Sequence, residues 1–402
     1  MEAKPKLWLR VFLPFAVGYY LSYLLRNVNA VIAPDLRHEF HLDSADLGLM
    51  TSAYLFAFGS FQLPLGILLD RYGARRVEAT LLLLAALGTA LFGLAQGVTQ
   101  LVAARALIGL GVSACLMASF KAFSQWFPPE RHASLNAAIM AAGSMGALSA
   151  TVPLDLALPL IGWRGCFFAL AMFCTLAAGI IFSTPDRPAA GSESFRAQLR
   201  GLGLVLGSRA FWRYGPLTAM VVGSFMAIQG LWAVPFLINF SGYTREVAAS
   251  HLLFLSLGML LGFLAIAASV TRLAARGISP ESILTAGMGV GLAIGVLIVF
   301  EAMSSYLLWS VMGVVFSVCN LAYVLLAKNF PAQMAGRANT ALNLLAFVGA
   351  FSVQWGFGLL VDHFQAGDTL RQAYHHAYTV LLVLQAASYA WFVASRRWVS
   401  GA

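Results

Sequence analysis

Long runs of apolar residues, separated by short polar turns, follow one another along almost the whole chain. A helix needs about 20 mainly apolar residues to cross the hydrocarbon core of a bilayer. The pattern therefore predicts an all-α membrane protein with twelve transmembrane helices. The predicted spans are roughly 9–34, 45–69, 77–96, 101–127, 133–158, 165–183, 213–240, 248–271, 281–301, 305–327, 336–361 and 378–395.

One long polar stretch, rich in proline, glycine, serine and arginine, divides the chain near its midpoint. We therefore expect an N-terminal six-helix bundle in 1–183, a cytoplasmic linker in 184–212 and a C-terminal six-helix bundle in 213–402. The halves also repeat, because Gly143 follows Pro128 much as Gly349 follows Pro331. This repetition predicts two pseudo-symmetric bundles.

The charges of the chain are few and unevenly distributed. Hydrophobic residues make up 60% of the chain and charged residues 10%, with a formal net charge of +9. Most lysines and arginines fall on one side of the predicted spans, which predicts cytoplasmic N- and C-termini and leaves no basic patch for nucleic acid. The arginines assigned to the outer side are Arg37, Arg105, Arg164, Arg245 and Arg371.

The first predicted span contains Arg26, a fixed positive charge inside an apolar segment. A central arginine costs at least ~2.5 kcal/mol on membrane-insertion scales, so we expect it to face protein or water. The residues on the same helical face are Tyr19, Ser22, Tyr23 and Asn29. The alternatives are an arginine that extends to the outer surface and one that pairs with a carboxylate on another helix.

The acidic residues lie near the predicted helix ends, for example Asp35 on the outer side and Glu78 near the inner face. Because no acid lies near the middle of a predicted span, a negatively charged solute is a candidate counter-charge for Arg26. The other interpretations are a chloride ion, a water-filled cavity and neutralisation of Arg26 by Asp35. The sequence thus indicates an anion site without excluding these.

A second intramembrane cation, Lys121, lies on the fourth predicted span about 9 Å from its inner end. It can extend to the cytoplasmic face or guard an inward exit for anions, and both interpretations remain open. In the second half, polar and aromatic side chains can bind a solute or join neighbouring helices. These candidates are Gln229, Trp232, Asn320, Tyr323 and Asn343.

The turn after the second span carries glycines and charged residues in a fixed order: Gly66, Asp70, Arg71, Gly73, Arg75 and Arg76. Gly73 permits a tight turn, Asp70 can pair across the cytoplasmic mouth, and the arginines mark the inner leaflet. This run resembles the signature of the major facilitator superfamily. Arg105 with Gly109 and Gly111 is similar to a second motif of that family, whereas Thr271-Arg272 is a degraded copy of the first.

The resemblance implies a secondary transporter with alternating access, in which two bundles rock about a central solute site. The motif and gating residues that it implies are Gly66, Asp70, Arg71, Gly73, Arg75, Arg76, Arg105 and Arg131. Arg26 and Lys121 resemble cations of the organophosphate antiporter and anion:cation symporter branches. Two departures from those branches are Leu25 before Arg26 and the lack of a mid-membrane acid in the fourth span.

We therefore expect a monomeric carrier of a small organic anion, such as a carboxylate, in the bacterial inner membrane, with protons as a candidate coupling ion. Arg105 is the residue that the second motif associates with proton coupling. The alternatives are efflux of hydrophobic drugs and a transporter-like solute sensor. No catalytic, cofactor or metal-binding pattern is evident, because the histidines lie near helix ends or in loops.

Overall fold

The computed structural model describes residues 7–128, 131–185, 195–300, 306–331 and 334–398. These ranges are almost entirely helical and contain no strand. The extreme termini, residues 186–194 of the predicted linker, and Glu301 lie outside the described residues. The chain divides into two compact units, one formed by Met1–His41 with Ala53–Phe195, and the other by Leu42–Ser52 with Arg196–Ala402.

The helices α1 to α6 occupy the first half of the chain. Their bounds are Trp8–Phe40 (α1), Ser44–Tyr72 (α2), Ala74–Leu94 (α3), Val98–Trp126 (α4), His132–Ser149 (α5) and Val152–Phe182 (α6). The first residues of α2 belong to the second unit, and the rest of α2 belongs to the first. Gly73 joins α2 to α3 with a φ of 81°, so the tight turn requires the left-handed backbone that glycine tolerates.

The second half contains a linker helix, Phe195–Leu206, followed by six longer helices. Their bounds are Arg209–Asn239 (α7), Arg245–Ala275 (α8), Pro280–Val299 (α9), Tyr306–Ala327 (α10), Ala335–Gln365 (α11) and Leu370–Ala394 (α12). The predicted linker is therefore partly helical. Its Val205 is fully buried in the apolar core of the second unit, together with Phe211 and Leu217 of α7.

Eleven helices within the described ranges are long and apolar enough to cross a membrane. Many of their large apolar side chains are exposed, such as Leu160 at 82%, as expected for surfaces that contact lipid. The eleven do not include α5, which ends at Ser149 rather than at the predicted residue 158. The residues from Val152 onward, which were predicted to end the fifth span, instead begin α6. That helix is broken at Gly162, whose φ is 66°, just before the predicted sixth span.

Besides the π-helical turn that begins α1 and the break at Gly162 of α6, three described spans contain an irregular turn. The helical hydrogen bonding of α4 is interrupted at 112–114, α7 has a π-helical turn at Ile228–Trp232, and α10 has a 3-10 turn at Val318–Asn320. The freed carbonyl of Ser113 accepts a hydrogen bond from Gln62 Nε2 at 3.1 Å. Such turns survive at membrane depth only where other groups satisfy the backbone, and they are frequent at functional sites.

Small residues allow the helices to approach closely in both units. A methyl group added at Gly146 of α5 would overlap the carbonyl oxygen of Tyr20 in α1. One added at Gly349 of α11 would overlap the carbonyl oxygen of Ala219 in α7. The fifth helix of each half thus packs backbone to backbone against the first helix of that half, which agrees with the internal repeat.

Gly146→Ala should destabilise the first unit, since the added methyl group meets the backbone of α1 rather than a movable side chain. Overpacking of this kind costs about 1–3 kcal/mol, so we expect a lower melting temperature in detergent. Gly179→Ala in α6 is the matched control, because nothing lies within 4 Å of a Cβ at that position. Equal melting temperatures for the two variants would contradict the close contact between α1 and α5.

Candidate functional site

Arg26 lies inside the first unit and is only 8% exposed. It therefore does not extend to the outer surface, which was one of the interpretations of the sequence. The guanidinium carbon lies 4.7 Å from the centre of the Tyr23 ring and 5.0 Å from that of Phe58. These distances are those of cation–π contacts, which stabilise a charge without neutralising it.

The residues predicted to share a face with Arg26 line the same region. Tyr19 and Tyr23 contact each other edge to face with ring centres 5.1 Å apart, and Tyr19 directs its hydroxyl group towards Met140 Sδ of α5. Tyr19 is 4% exposed and Asn29 is fully buried. The close approach of α5 at Gly143, where a methyl group would contact the Tyr19 ring, fixes these tyrosines beside the cation.

Two aromatic residues of α2 complete these surroundings. Tyr54 is 1% exposed, donates from its hydroxyl group to the carbonyl of Ser22 at 3.2 Å and lies next to the Arg26 guanidinium. Phe58 follows one turn later and contacts Arg26 directly. The sequence shows that Tyr54 and Phe58 are four residues apart on one helical face, but it does not reveal that this face meets α1.

Arg105 is also buried within the first unit, and its assignment to the outer side is wrong. The side chain is 0% exposed and donates from Nη1 to the carbonyl oxygen of Leu25 at 2.9 Å. Its guanidinium carbon lies 5.4 Å from the centre of the Tyr54 ring. Two arginines therefore approach Tyr54, and Arg105 fixes the α1 backbone one residue before Arg26.

Lys121 pairs with Asp70, which joins the C-terminal half of α4 to the C-terminal end of α2. Its side chain is 18% exposed and that of Asp70 is 38% exposed. The ion pair links one predicted solute contact to one predicted gating residue. It occupies the ammonium group of Lys121 at Asp70, which lies about 18 Å further along α2 than Phe58, the α2 residue that contacts Arg26.

The remaining motif residues make separate contacts. Arg75 donates from Nη1 to the carbonyl of Thr184 at 3.1 Å, and the guanidinium of Arg71 lies 5.3 Å from the centre of the Tyr72 ring. Gly66 and Arg131 are half-buried, and Arg76 is exposed. Arg75 thus contacts the end of α6, and Arg71 packs on the neighbouring Tyr72 at the end of α2.

The candidate residues of the second unit are held mainly by contacts within that unit. Gln229 donates from Nε2 to Ser256 Oγ at 3.1 Å, and Trp232 donates from Nε1 to the carbonyl of Gln354 at 3.0 Å. Tyr323 donates from its hydroxyl group to Asn343 Oδ1 at 3.2 Å. Asn320 is exposed at the 3-10 turn of α10.

The first unit thus presents a buried guanidinium bordered by tyrosine and phenylalanine rings. Arginine offers a planar set of N–H donors that matches a carboxylate or phosphate, and the rings can contact the apolar part of an organic ligand. Within the described part of the chain, no three His, Cys, Asp or Glu side chains cluster closely enough to hold a metal ion.

The family model of the Major Facilitator Superfamily matches residues 15–353. The chain belongs to the major facilitator superfamily. This match confirms the family resemblance seen in the turn between α2 and α3. It also agrees with the many helices that are long and apolar enough to cross a membrane.

Curated relatives in this family include carriers of organic acids. The hexuronate transporter of Escherichia coli is 27% identical over 271 residues, which cover 61% of this chain and 62% of the relative. The probable sulfoacetate transporter of Cupriavidus necator is 30% identical over 174 residues, which cover 42% and 40% of the two chains. The chain thus matches less than two thirds of the length of either relative.

Solved structures of distant members share the fold. A bacterial homologue of the human lysosomal transporter Spinster superimposes with a TM-score of 0.80. The alignment covers 99% of this chain and 98% of that structure, at 16% sequence identity. This similarity concerns the fold alone.

We expect Lys121→Ala and Asp70→Ala each to lower the melting temperature, and the double variant to lower it by less than the sum. The pair is partly exposed, so its coupling free energy in a double-mutant cycle should be about 0.2–1 kcal/mol. Thermal unfolding in detergent at low and high salt provides the measurement. Strict additivity at both salt concentrations would show that the ion pair contributes nothing.

Proposed function

We propose that this protein is a secondary transporter that moves a small organic acid across the membrane by alternating access. The observation that carries the proposal is the buried Arg26, surrounded by Tyr23, Tyr54 and Phe58 within a span of a major facilitator. The relatives named for hexuronate and sulfoacetate support an anionic solute.

Arg26 would bind the acid group of the solute through paired hydrogen bonds. Tyr19, Tyr23 and Asn29 would contact the rest of the molecule, because they share its helical face. The aromatic rings suit a solute with both hydroxyl groups and an apolar face, as in a sugar acid. Gln229, Trp232, Asn320, Tyr323 and Asn343 remain candidate solute contacts, although most of them also support the second unit.

The motif residues at the inner end of the first unit would form a cytoplasmic gate. In this proposal Lys121 belongs to that gate, since it pairs with Asp70 instead of accompanying Arg26. Movement between the two accessible states would break and remake contacts of Asp70, Arg71 and Arg75. Arg105 would hold α1 in place beside the solute rather than bind it.

We further propose twelve transmembrane spans, with α5 among them and both termini in the cytoplasm. The protein would act as a monomer in a bacterial inner membrane, and protons would be its coupling ion. Cysteine labelling from either side of sealed vesicles tests the orientation. Accessibility of an introduced cysteine at position 10 from the outside would contradict it.

Uptake of labelled glucuronate into proteoliposomes tests the class of solute. We expect saturable uptake that other hexuronates and small carboxylates inhibit and that neutral glucose does not, because only the former carry the group that Arg26 binds. Inhibition by glucose as strong as by carboxylates would exclude an anion site. Transport of hydrophobic cations without any uptake of acids would favour drug efflux, and binding without flux would favour a sensor.

Arg26→Ala should reduce the affinity for glucuronate by about 30-fold or more, because truncating one partner of a buried charge pair costs about 2–5 kcal/mol. Arg26→Lys should retain part of the affinity, since it keeps the charge but loses the paired donors. Arg10→Ala on the same helix is the matched control, because Arg10 is exposed. Binding measured by calorimetry that is unchanged in Arg26→Ala would overturn the proposed site.

A further inference from the structure

A buried carboxyl group that the solute site does not use lies in the first turns of α3. Glu78 is 0% exposed, although the sequence suggests only a position near the inner face. Neither of its carboxyl oxygens has a hydrogen-bond partner among the described residues. An acid near the end of a transmembrane helix normally reaches water or a cation, so complete enclosure of this one requires an explanation.

The carboxyl group of Glu78 is enclosed by three other helices. A methyl group added at Gly18 of α1 would overlap Glu78 Oε1, and the Ile181 side chain of α6 would lie 3.3 Å from it. The thiol of Cys115 in α4 faces Glu78, and Cys174 of α6 lies near Cys115. Both cysteines are reduced and buried, so the groups that surround the acid carry no charge.

Among the basic side chains of the helices around Glu78, Arg76 is exposed and Arg164 pairs with Glu39, while four others make the contacts that follow. On α3 itself, Arg75 extends to the carbonyls of Phe182 and Thr184 at the end of α6. Lys121 pairs with Asp70. Arg105 donates to the carbonyl of Leu25, and on α1 Arg26 lies among aromatic rings two turns beyond Gly18.

Burial of an ionised carboxylate that has no cation beside it and only a thiol as a weak donor is strongly unfavourable, whereas the neutral acid is tolerated. We propose that Glu78 is a proton-binding site of the first unit. It holds the proton while enclosed and releases it when helix movements admit water. The proton adds to a carboxylate oxygen and leaves to water, so the step needs no other reactant.

The position of Glu78 links this site to α1. Gly18 and Arg26 are eight residues apart on α1, or about 12 Å along the helix. A movement of α1 on solute binding would therefore change the contact between Gly18 and Glu78. One proton carried by Glu78 for each anion at Arg26 would balance the charge of a monovalent acid, and this coupling rests on the proposed function.

Infrared spectroscopy of the purified protein tests the proton directly, with no solute present. We expect a carboxylic-acid C=O band that shifts in D₂O and is lost in Glu78→Gln, which keeps the shape of the neutral acid. Glu246→Gln is the matched control, because Glu246 is exposed in the first turn of α8. A spectrum in which Glu78→Gln and wild type have the same band would overturn the proposal.

Transport in proteoliposomes tests the coupling. We expect Glu78→Gln to keep glucuronate exchange between the two sides of the membrane. We expect it to lose the accumulation that wild type shows when the outside is more acidic than the inside. The coupling would be overturned if Glu78→Gln accumulated glucuronate as strongly as wild type does. It would also be overturned if uptake by wild type did not respond to the pH gradient. If wild type neither exchanges nor accumulates any acid, the proposed function fails, while the infrared band still decides whether Glu78 holds a proton.

A second variant covers the case in which Glu78→Gln does not fold. In Gly18→Ala the new methyl group meets only the movable ends of the Glu78 and Ile181 side chains, so the fold should survive while the carboxyl group shifts. The carboxylic-acid band should then change frequency. An unchanged band in a folded Gly18→Ala would overturn the enclosure of Glu78 against α1.

Discussion

The structure of the first unit depends on keeping the Arg26 guanidinium inside the membrane without contact with lipid. Apolar surroundings disfavour a bare charge, and both α1 and α2 contribute side chains that stabilise the guanidinium. Tyr23 lies beneath it from the same helix, while Tyr54 and Phe58 reach it from α2. The cost of this charge explains why so many aromatic side chains converge on one position.

Close helix packing makes that arrangement possible. Glycine at position 146 lets the α5 backbone approach α1 at Tyr20, and glycine at 109 lets α4 approach α2 at Tyr54. These contacts hold the helices that carry the site at a short, fixed separation. The second unit uses the same device between α7 and α11, where Gly223 and Gly349 meet. These close contacts lie within each unit.

The charged groups of the first unit are distributed by depth. Lys121 and Asp70 form a partly exposed pair at the C-terminal end of α2, where water screens the charges and weakens the pair. Arg26 and Arg105 lie deeper and contact aromatic rings and a backbone carbonyl. Glu78 is enclosed, and its carboxyl oxygens have no hydrogen-bond partner in the described part of the chain. The most exposed charges of this set thus lie near a helix end, and the buried ones lie in the interior.

The sequence alone determined the helical membrane fold, the family and the presence of a cation in the first span, because hydropathy, periodicity and short motifs are local properties of the chain. It did not determine the burial of Arg105, the partner of Lys121, the contact of Phe58 with Arg26 or the enclosure of Glu78. Those depend on which helix faces meet, and the faces come from segments 30 to 100 residues apart. Only packing in three dimensions brings them together.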